Sequence, residues 1–477
     1  MKRKFITNLL LLLFLNILIK PFWIFGIDRH VQNMVGAESY GLYFSLLSFS
    51  VILNILLDLG ITNFNNKNIA QNHLLMKKHI SNIVGIKFLL AGIYAIVCIL
   101  ASLFVYDDSH LYLLIFLILN QFLISFTLYL RSNISGLHLF RTDSLLSVLD
   151  RSLMIIFCSV LLFTNITHHA FRIEWYVYAQ SAAYLIASLI TLAVVLSHTG
   201  KLKFYFDKRF FIVFLKKSYP YALLILLMSF YNRIDSVMLV GLLPNGKEQA
   251  GIYAQAFRLL EAVSMFGVLF AGLLLPIFAR MIKKKEEVGS MVQFSFLLLF
   301  VPAIIISLSC GFYDTELMDF LYDGNIELSA SILQILMVSF LGIATTYIFG
   351  TLLTANGSIR QLNWMALVGM ILNVGLNFIL IPHFQALGSA WTSMATQLFT
   401  ALAQTILAVS ILKLTINYRL IGKLILFVGF VFLAGTFSRH INTWYLGYGI
   451  MIISSIMFAF ITRLINLKAL TQIIRNE

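Results

Sequence analysis

The sequence predicts an all-α polytopic membrane protein of about fourteen transmembrane helices, and three observations predict it. Its 477 residues are 60% apolar and only 11% charged, whereas a soluble domain runs about 25% charged. Too few charged residues remain to cover a soluble surface of this size. Apolar stretches recur along the whole chain, each near the roughly 20 residues a helix needs to cross hydrocarbon. Lysine and arginine gather in alternate connections, as in proteins oriented by the positive-inside bias. Together these features exclude a soluble enzyme, a nucleic-acid-binding domain and a secreted disulfide scaffold.

Taken in order, the spans are centred on residues 7–34, 40–62, 80–105, 111–135, 145–163, 174–197, 218–243, 250–276, 288–311, 329–355, 360–381, 386–411, 420–438 and 444–465. The first opens with Met1-Lys2-Arg3-Lys4 but meets Lys20-Pro21 and Asp28-Arg29 without a small-residue cleavage site, so it reads as a retained helix. Gln361–Leu412 carries no charge and is long enough for two spans, with a natural break at Ile381-Pro382-His383. Cys98, Cys158 and Cys310 lie in apolar runs without metal-ligand spacing and read as buried thiols. No metal, cofactor or catalytic set is expected.

Most of the 34 basic residues fall on one side if both termini are cytoplasmic: Lys67, Lys77, Lys78, the Lys201–Lys217 stretch, Arg280–Lys285, Lys413, Arg419, Lys468 and Arg475 among them. The outer loops hold Arg29, Arg172, Lys247 and Arg439, and much of the acid, including Asp107, Asp108, Glu174 and Asp314. The surplus of +14 is therefore chiefly a topology signal, with attraction to anionic inner-leaflet lipid. The connection 198–217 alternates basic and aromatic residues and reads as an interfacial linker.

A short repeat flanks that linker. Asp28-Arg29, Gly36 and Gly41-Leu42-Tyr43 are echoed by Arg233-Ile234-Asp235, Gly241 and Gly251-Ile252-Tyr253. Six spans separate the copies, so both run in one direction, which favours two parallel six-helix bundles related by an axis along the membrane normal. The expected division is 1–197 for the first bundle, 198–217 for the linker, 218–412 for the second bundle, and 413–477 for two added helices and a cytoplasmic tail.

At these residues the chain resembles Wzx-type polysaccharide flippases. The resemblance rests on Val35-Gly36-Ala37-Glu38-Ser39-Tyr40-Gly41-Leu42-Tyr43 with Asp58-Leu59-Gly60-Ile61, on Arg233-Ile234-Asp235-Ser236-Val237-Met238-Leu239 with Pro276, and on Leu352 through Gly357, Asn373, Asn377, Ile381-Pro382 and Leu387-Gly388-Ser389-Ala390. Gly388-Ser389-Ala390 departs slightly from the usual small-residue pattern. It implies the multidrug/oligosaccharidyl-lipid/polysaccharide exporter fold (MATE-like) and translocation of a lipid-linked oligosaccharide across a bacterial inner membrane. The implied partner is an undecaprenyl-diphosphate-type glycolipid, with polysaccharide assembly proteins and H⁺ or Na⁺ coupling as further expectations.

Ionisable groups inside hydrocarbon cost at least about 2.5–3.5 kcal/mol each and need a reason. Lys87, Arg131 and Lys423 sit near the inner face, where snorkelling explains them, and Asp58 reads as a local cap or local hydrogen-bonding group. Asp150-Arg151 reads as a helix-terminal or inter-helix pair. Lys20, Arg233 and Arg258 lie deeper and are the candidate ligands for a diphosphate and its glycan. Asp28, Asp235 and Glu261 would balance those cations or couple transport to an ion; Arg258 and Glu261, three apart, can also simply pair. Asn373, Asn377, Gln397 and Gln404 read as interhelical hydrogen-bonding groups. Two other functions remain open: an ion-coupled exporter of drugs on the same fold, and a membrane-embedded glycan polymerase or glycosyltransferase. The second would carry a large outer catalytic loop, and the longest outer loop here, about Gly311 to Ser329, is short. His110, His168 and His169 read as surface histidines.

Overall fold

A computed structural model describes residues 14–16, 18–62, 65, 69, 74–107, 110–137, 139–164, 171–199, 208–415 and 417–465. Met1–Lys4, Lys67, Asp108, His168, His169, the first half of the linker, Lys468 and Arg475 lie outside the described residues. Among the described residues there are helices and no strands. They are α1 (Arg29–Ile52), α2 (Leu74–Ser102), α3 (Leu111–Gly136), α4 (Phe140–Phe163), α5 (Ile173–Thr199), α6 (Lys208–Leu242), α7 (Gly246–Lys284), α8 (Gly289–Phe312), α9 (Asp314–Leu321), α10 (Ile326–Ala355), α11 (Ile359–Leu412), α12 (Tyr418–Ser438) and α13 (Trp444–Ile461).

Among the described residues, twelve apolar helical stretches are long enough to cross a membrane. Two of them are hairpins broken by one non-helical residue, Gly36 in Phe14–Ile52 and Gln385 in α11, which recovers the expected count. Gly36 has φ +77°, a conformation open to glycine at no steric cost. The break at Gln385 falls just past Pro382, where the sequence predicts it.

By packing, the chain forms two compact units, Met1–Ala254 and Gln255–Glu477. In the first, α5 packs on α3 and α4, and α1 packs on α6 and α3. One of its cores gathers Ile80, Ile83, Val84, Phe126, Tyr129 and Val195. In the second, α10 packs on α11 and α8, while α12 and α13 pair with each other and sit against α8. Val301, Ile304, Phe427, Val431 and Met451 form that junction, so the added helices share a core with the unit they border. Cys98, Cys158 and Cys310 are buried, as expected.

Two departures from the sequence reading concern charges. The second span unwinds partway: α1 ends at Ile52, a tight 3₁₀ turn covers Asn54–Leu57, and Leu59 and Gly60 adopt positive φ. A backbone broken at membrane depth needs internal partners. Lys87 supplies them: its ammonium donates to the Leu57 carbonyl at 3.0 Å, to Asp58 Oδ1 at 2.5 Å and to Ser125 Oγ at 3.1 Å. Its side chain is 1% exposed, so it does not snorkel; it pins the break. Thr62 also donates to Asp58, the local hydrogen bond expected of it, and the ion pair with Lys87 is what the sequence reading missed. Arg131 likewise pairs, its Nε 2.8 Å from Asp143 Oδ1. Lys87→Met is expected to leave Asp58 without its counter-ion and to destabilise the fold by about 3–5 kcal/mol. Adding Asp58→Asn should recover part of that loss, and detergent-solution thermal unfolding of both variants measures it.

Candidate functional site

The site in the first unit is built by the helical residues 18–28, α4 and α5. Pro21 withholds one backbone donor, and the turn that follows, Trp23–Asp28, widens into a π-helix. Such single-turn widenings re-aim side chains and recur at functional sites. Here the turn buries Trp23, Ile24, Ile27 and Asp28 toward the unit interior.

Asp28 is 1% exposed and is held by two tyrosines. Tyr40 donates to Oδ2 at 2.7 Å, and the Tyr176 hydroxyl donates to Oδ1. Gln180 donates to the Tyr43 hydroxyl at 2.8 Å, tying the next ring into the same network. Trp23 and Tyr176 stack within 4° of parallel at 5.8 Å, and Tyr43 meets Tyr176 edge-on at 5.3 Å. A buried carboxylate with phenolic donors is thus set behind an aromatic wall.

Arg151 lies on that wall. Its guanidinium stands 5.7 Å from the Trp23 ring and 5.8 Å from the Tyr184 ring. Both distances are within the reach of cation–π attraction. Arg151 sits midway along α4, not at a helix end, and Asp150 Oδ1 accepts only its backbone N–H among their mutual contacts described. The expectation of a helix-terminal pair is therefore corrected. Lys20 is within electrostatic reach of Arg151, Asp150 and Arg131. Both Lys20 and Arg151 are half-buried residues. Two cations beside one acid on an aromatic bed suit a multiply charged anion that also presents flat or apolar faces. Arg151 was legible only as a charge within a span; the rings that face it come from distant positions.

The remaining sequence candidates distribute between the units. Arg233 and Asp235 lie in α6 of the first unit, two residues apart and differently engaged. Asp235, 2% exposed, accepts from the Tyr253 hydroxyl at 2.9 Å, whereas the Ser236 hydroxyl donates to the Arg233 carbonyl at 3.4 Å. Arg258 and Glu261 belong to the second unit and pair at 2.6 Å, the internal ion pair their spacing allows. In that unit Asn377 donates to Asn373 at 3.2 Å within one helical segment, and Ser389 donates to Asn377 at 3.3 Å across the Gln385 break, the interhelical bond expected. Along the same helix the buried Thr392, Thr396 and Gln404 each keep a side-chain oxygen outside any hydrogen bond described.

The repeat acquires a physical meaning here. The start of α7 lies against α1 so closely that a Cβ on Gly41 would strike the Lys247 carbonyl and the Gly251 amide. A Cβ on Gly251 would strike the Ala37 carbonyl. Gln32 adds a hydrogen bond to the Gly251 carbonyl at 3.0 Å. The two repeated glycines therefore meet each other, backbone on backbone. Each copy also sets an acid under a tyrosine of the helix that follows it, Asp28 under Tyr40 and Asp235 under Tyr253. His110, just outside the membrane span, lies within electrostatic reach of this junction: burial and then Lys247 push its imidazole below the usual value, opposed by Asp107.

The fold is similar to that of the lipid II flippase MurJ in an inward closed conformation, with a TM-score of 0.68 and 15% identity over 96% of this chain and 97% of that one. It is also similar to an inward-facing multidrug resistance MATE family transporter of the MOP superfamily, with a TM-score of 0.59 and 16% identity over 82% and 95% of the two chains. A MOP superfamily transporter from Pyrococcus furiosus, described as having a binding pocket of reverse polarity, matches at a TM-score of 0.54 and 16% identity over 86% and 95%. At such identities these likenesses establish the fold alone. No curated protein matches the chain by sequence. Residues 9–282, more than half of the chain and including the whole Lys20–Arg151 cluster, match the family described as polysaccharide biosynthesis protein. This polytopic helical membrane protein belongs to the polysaccharide biosynthesis protein family.

Proposed function

We propose that the protein is a flippase that moves an isoprenoid-diphosphate-linked oligosaccharide, the repeat unit of an O-antigen, capsule or exopolysaccharide, from the inner to the outer leaflet of the bacterial cytoplasmic membrane. The observation that carries the reading is the Lys20–Asp150–Arg151 cluster on the Trp23–Tyr184 aromatic bed, inside a polysaccharide biosynthesis family. A diphosphate and a glycan cannot cross hydrocarbon, while the lipid tail never needs to leave it. Cationic side chains offset the diphosphate's lost hydration, arginine by bidentate contact. Aromatic faces suit the apolar sides of sugar rings. The similarity to a lipid II flippase supports a lipid-linked cargo.

Transport then proceeds by alternating access between two six-helix bundles, 1–197 and 218–412, with both termini cytoplasmic. With the bundles so divided, the Gly41–Gly251 contact joins α1 of one to α7 of the other and acts as the outer clasp. It closes the site to the outside and parts when cargo leaves. Arg233 and Arg258 are the further cations assigned to cargo recognition. Asp28, Asp235 and Glu261 hold counter-charge, and Asp28 and Asp235, each held by tyrosine, are suited to coupling with H⁺ or Na⁺. An exporter of cationic drugs would want those acids facing its cargo, and tyrosine hydroxyls already engage them.

Purified protein in liposomes, given a labelled undecaprenyl-diphosphate disaccharide, tests the reading. Lipid should become accessible in the opposite leaflet, and Arg233→Ala with Arg258→Ala should slow its appearance. Unchanged flipping by the double variant at equal protein would remove those two residues from cargo recognition.

A further inference from the structure

A second binding site lies in the second unit, at the end marked by α9. Helices α8, α10, α12 and the latter half of α11 enclose a groove of about 760 Å³, within the roughly 300–1,000 Å³ typical of ligand pockets. Its lining includes the apolar Leu308, Leu387, Trp391 and Phe432 and the charged Asp314 and Arg439. One wall exists because α12 is attached there: Gly435 admits the Phe312 ring, which meets Phe432 at 5.2 Å. The groove therefore depends on α12, one of the two helices that a pair of six-helix bundles does not require.

The lining charges are fixed in place. Arg439 pairs with Glu316 and stands 5.0 Å from the Tyr313 ring, and the Tyr313 hydroxyl donates to Ser438 Oγ at 2.9 Å. A guanidinium has five N–H donors, more than the Glu316 contact uses. Asp314 opens α9 and hydrogen-bonds with its neighbour Thr315. A cation and an acid in an otherwise apolar slot complement an amphiphile whose head bears both signs. With Asp314 and Glu316 beside one arginine, the local balance does not favour a purely anionic lipid.

We propose that this groove binds a zwitterionic, amine-bearing glycerophospholipid, its phosphate on Arg439, its ammonium on Asp314 and an acyl chain along Trp391 and Phe432. The bound lipid fills the seam between α12 and the rest of the second unit, independently of the cargo site.

The test is native mass spectrometry of the full protein released from vesicles of equal phosphatidylethanolamine and phosphatidylglycerol. Wild type should retain one phosphatidylethanolamine in clear excess. Asp314→Asn should abolish the preference, and Val338→Trp, which fills the slot from an exposed position, should remove the retained lipid while the protein stays monodisperse. Equal retention of both lipids by wild type, an unchanged preference in Asp314→Asn, or an unchanged retention in Val338→Trp would overturn the proposal. So would displacement of phosphatidylethanolamine by added undecaprenyl diphosphate, which would assign the groove to the cargo.

Discussion

Replacing Gly251 by leucine is expected to hold the outer clasp open and to stop net transport. The Gly251 Cα side faces the Ala37 carbonyl, which is backbone and has nowhere to retreat without moving α1. Overpacking of this kind costs about 1–3 kcal/mol, roughly a 5- to 150-fold bias against the closed arrangement. If the clasp parts as proposed, the parted arrangement is free of this strain, and the variant should fold and reach the membrane. Its signature is access. In a background whose three native cysteines are replaced, a cysteine at Trp23 should react with a membrane-impermeant thiol reagent from outside far faster when Gly251→Leu is present. Gly41→Leu should behave alike, since its Cβ meets Lys247 and Gly251. Unchanged labelling together with full transport would show that the contact is packing only.

Arg151→Ala is expected to be the most damaging change in the cargo site. Losing a hydrogen bond to a charged group costs about 1.5–3 kcal/mol, roughly a 10- to 150-fold loss of cargo affinity. Arg151→Lys keeps the charge but gives up the planar fork and much of the stacking on Trp23 and Tyr184, so it should recover only part of the loss. Lys20→Ala should weaken binding as well. Because Lys20 and Arg151 lie within electrostatic reach of each other, the double variant should lose less than the two single effects combined. Additive losses would mean that the two cations serve separate ligands.

The architecture was open to sequence reading because hydropathy reports directly on the requirement for apolar spans. Even the two hairpins merged into continuous helical stretches break near Gly36 and Pro382, residues whose backbone chemistry marks a boundary. Charges read well where partner and charge share one helix, as with Arg258 and Glu261. They read poorly where the partner is distant. Lys87 looked like a snorkelling lysine because its acceptors, Leu57, Asp58 and Ser125, come from a broken span and another helix. Arg151 looked like half of a local pair because Trp23 and Tyr184 are remote in sequence. The glycine repeat was visible as a pattern, but only the folded chain shows that its copies touch.

The central claim, that the Lys20–Arg151 cluster recognises a lipid-linked diphosphate, is tested most directly by equilibrium binding of undecaprenyl diphosphate to the purified protein. Undecaprenol, which has the same tail and no charge, is the control. Wild type should bind the diphosphate at least about tenfold more tightly than the alcohol, and Arg151→Ala should erase most of that difference. Equal affinity for the two lipids, or a preference that survives in Arg151→Ala and Lys20→Ala, would contradict it.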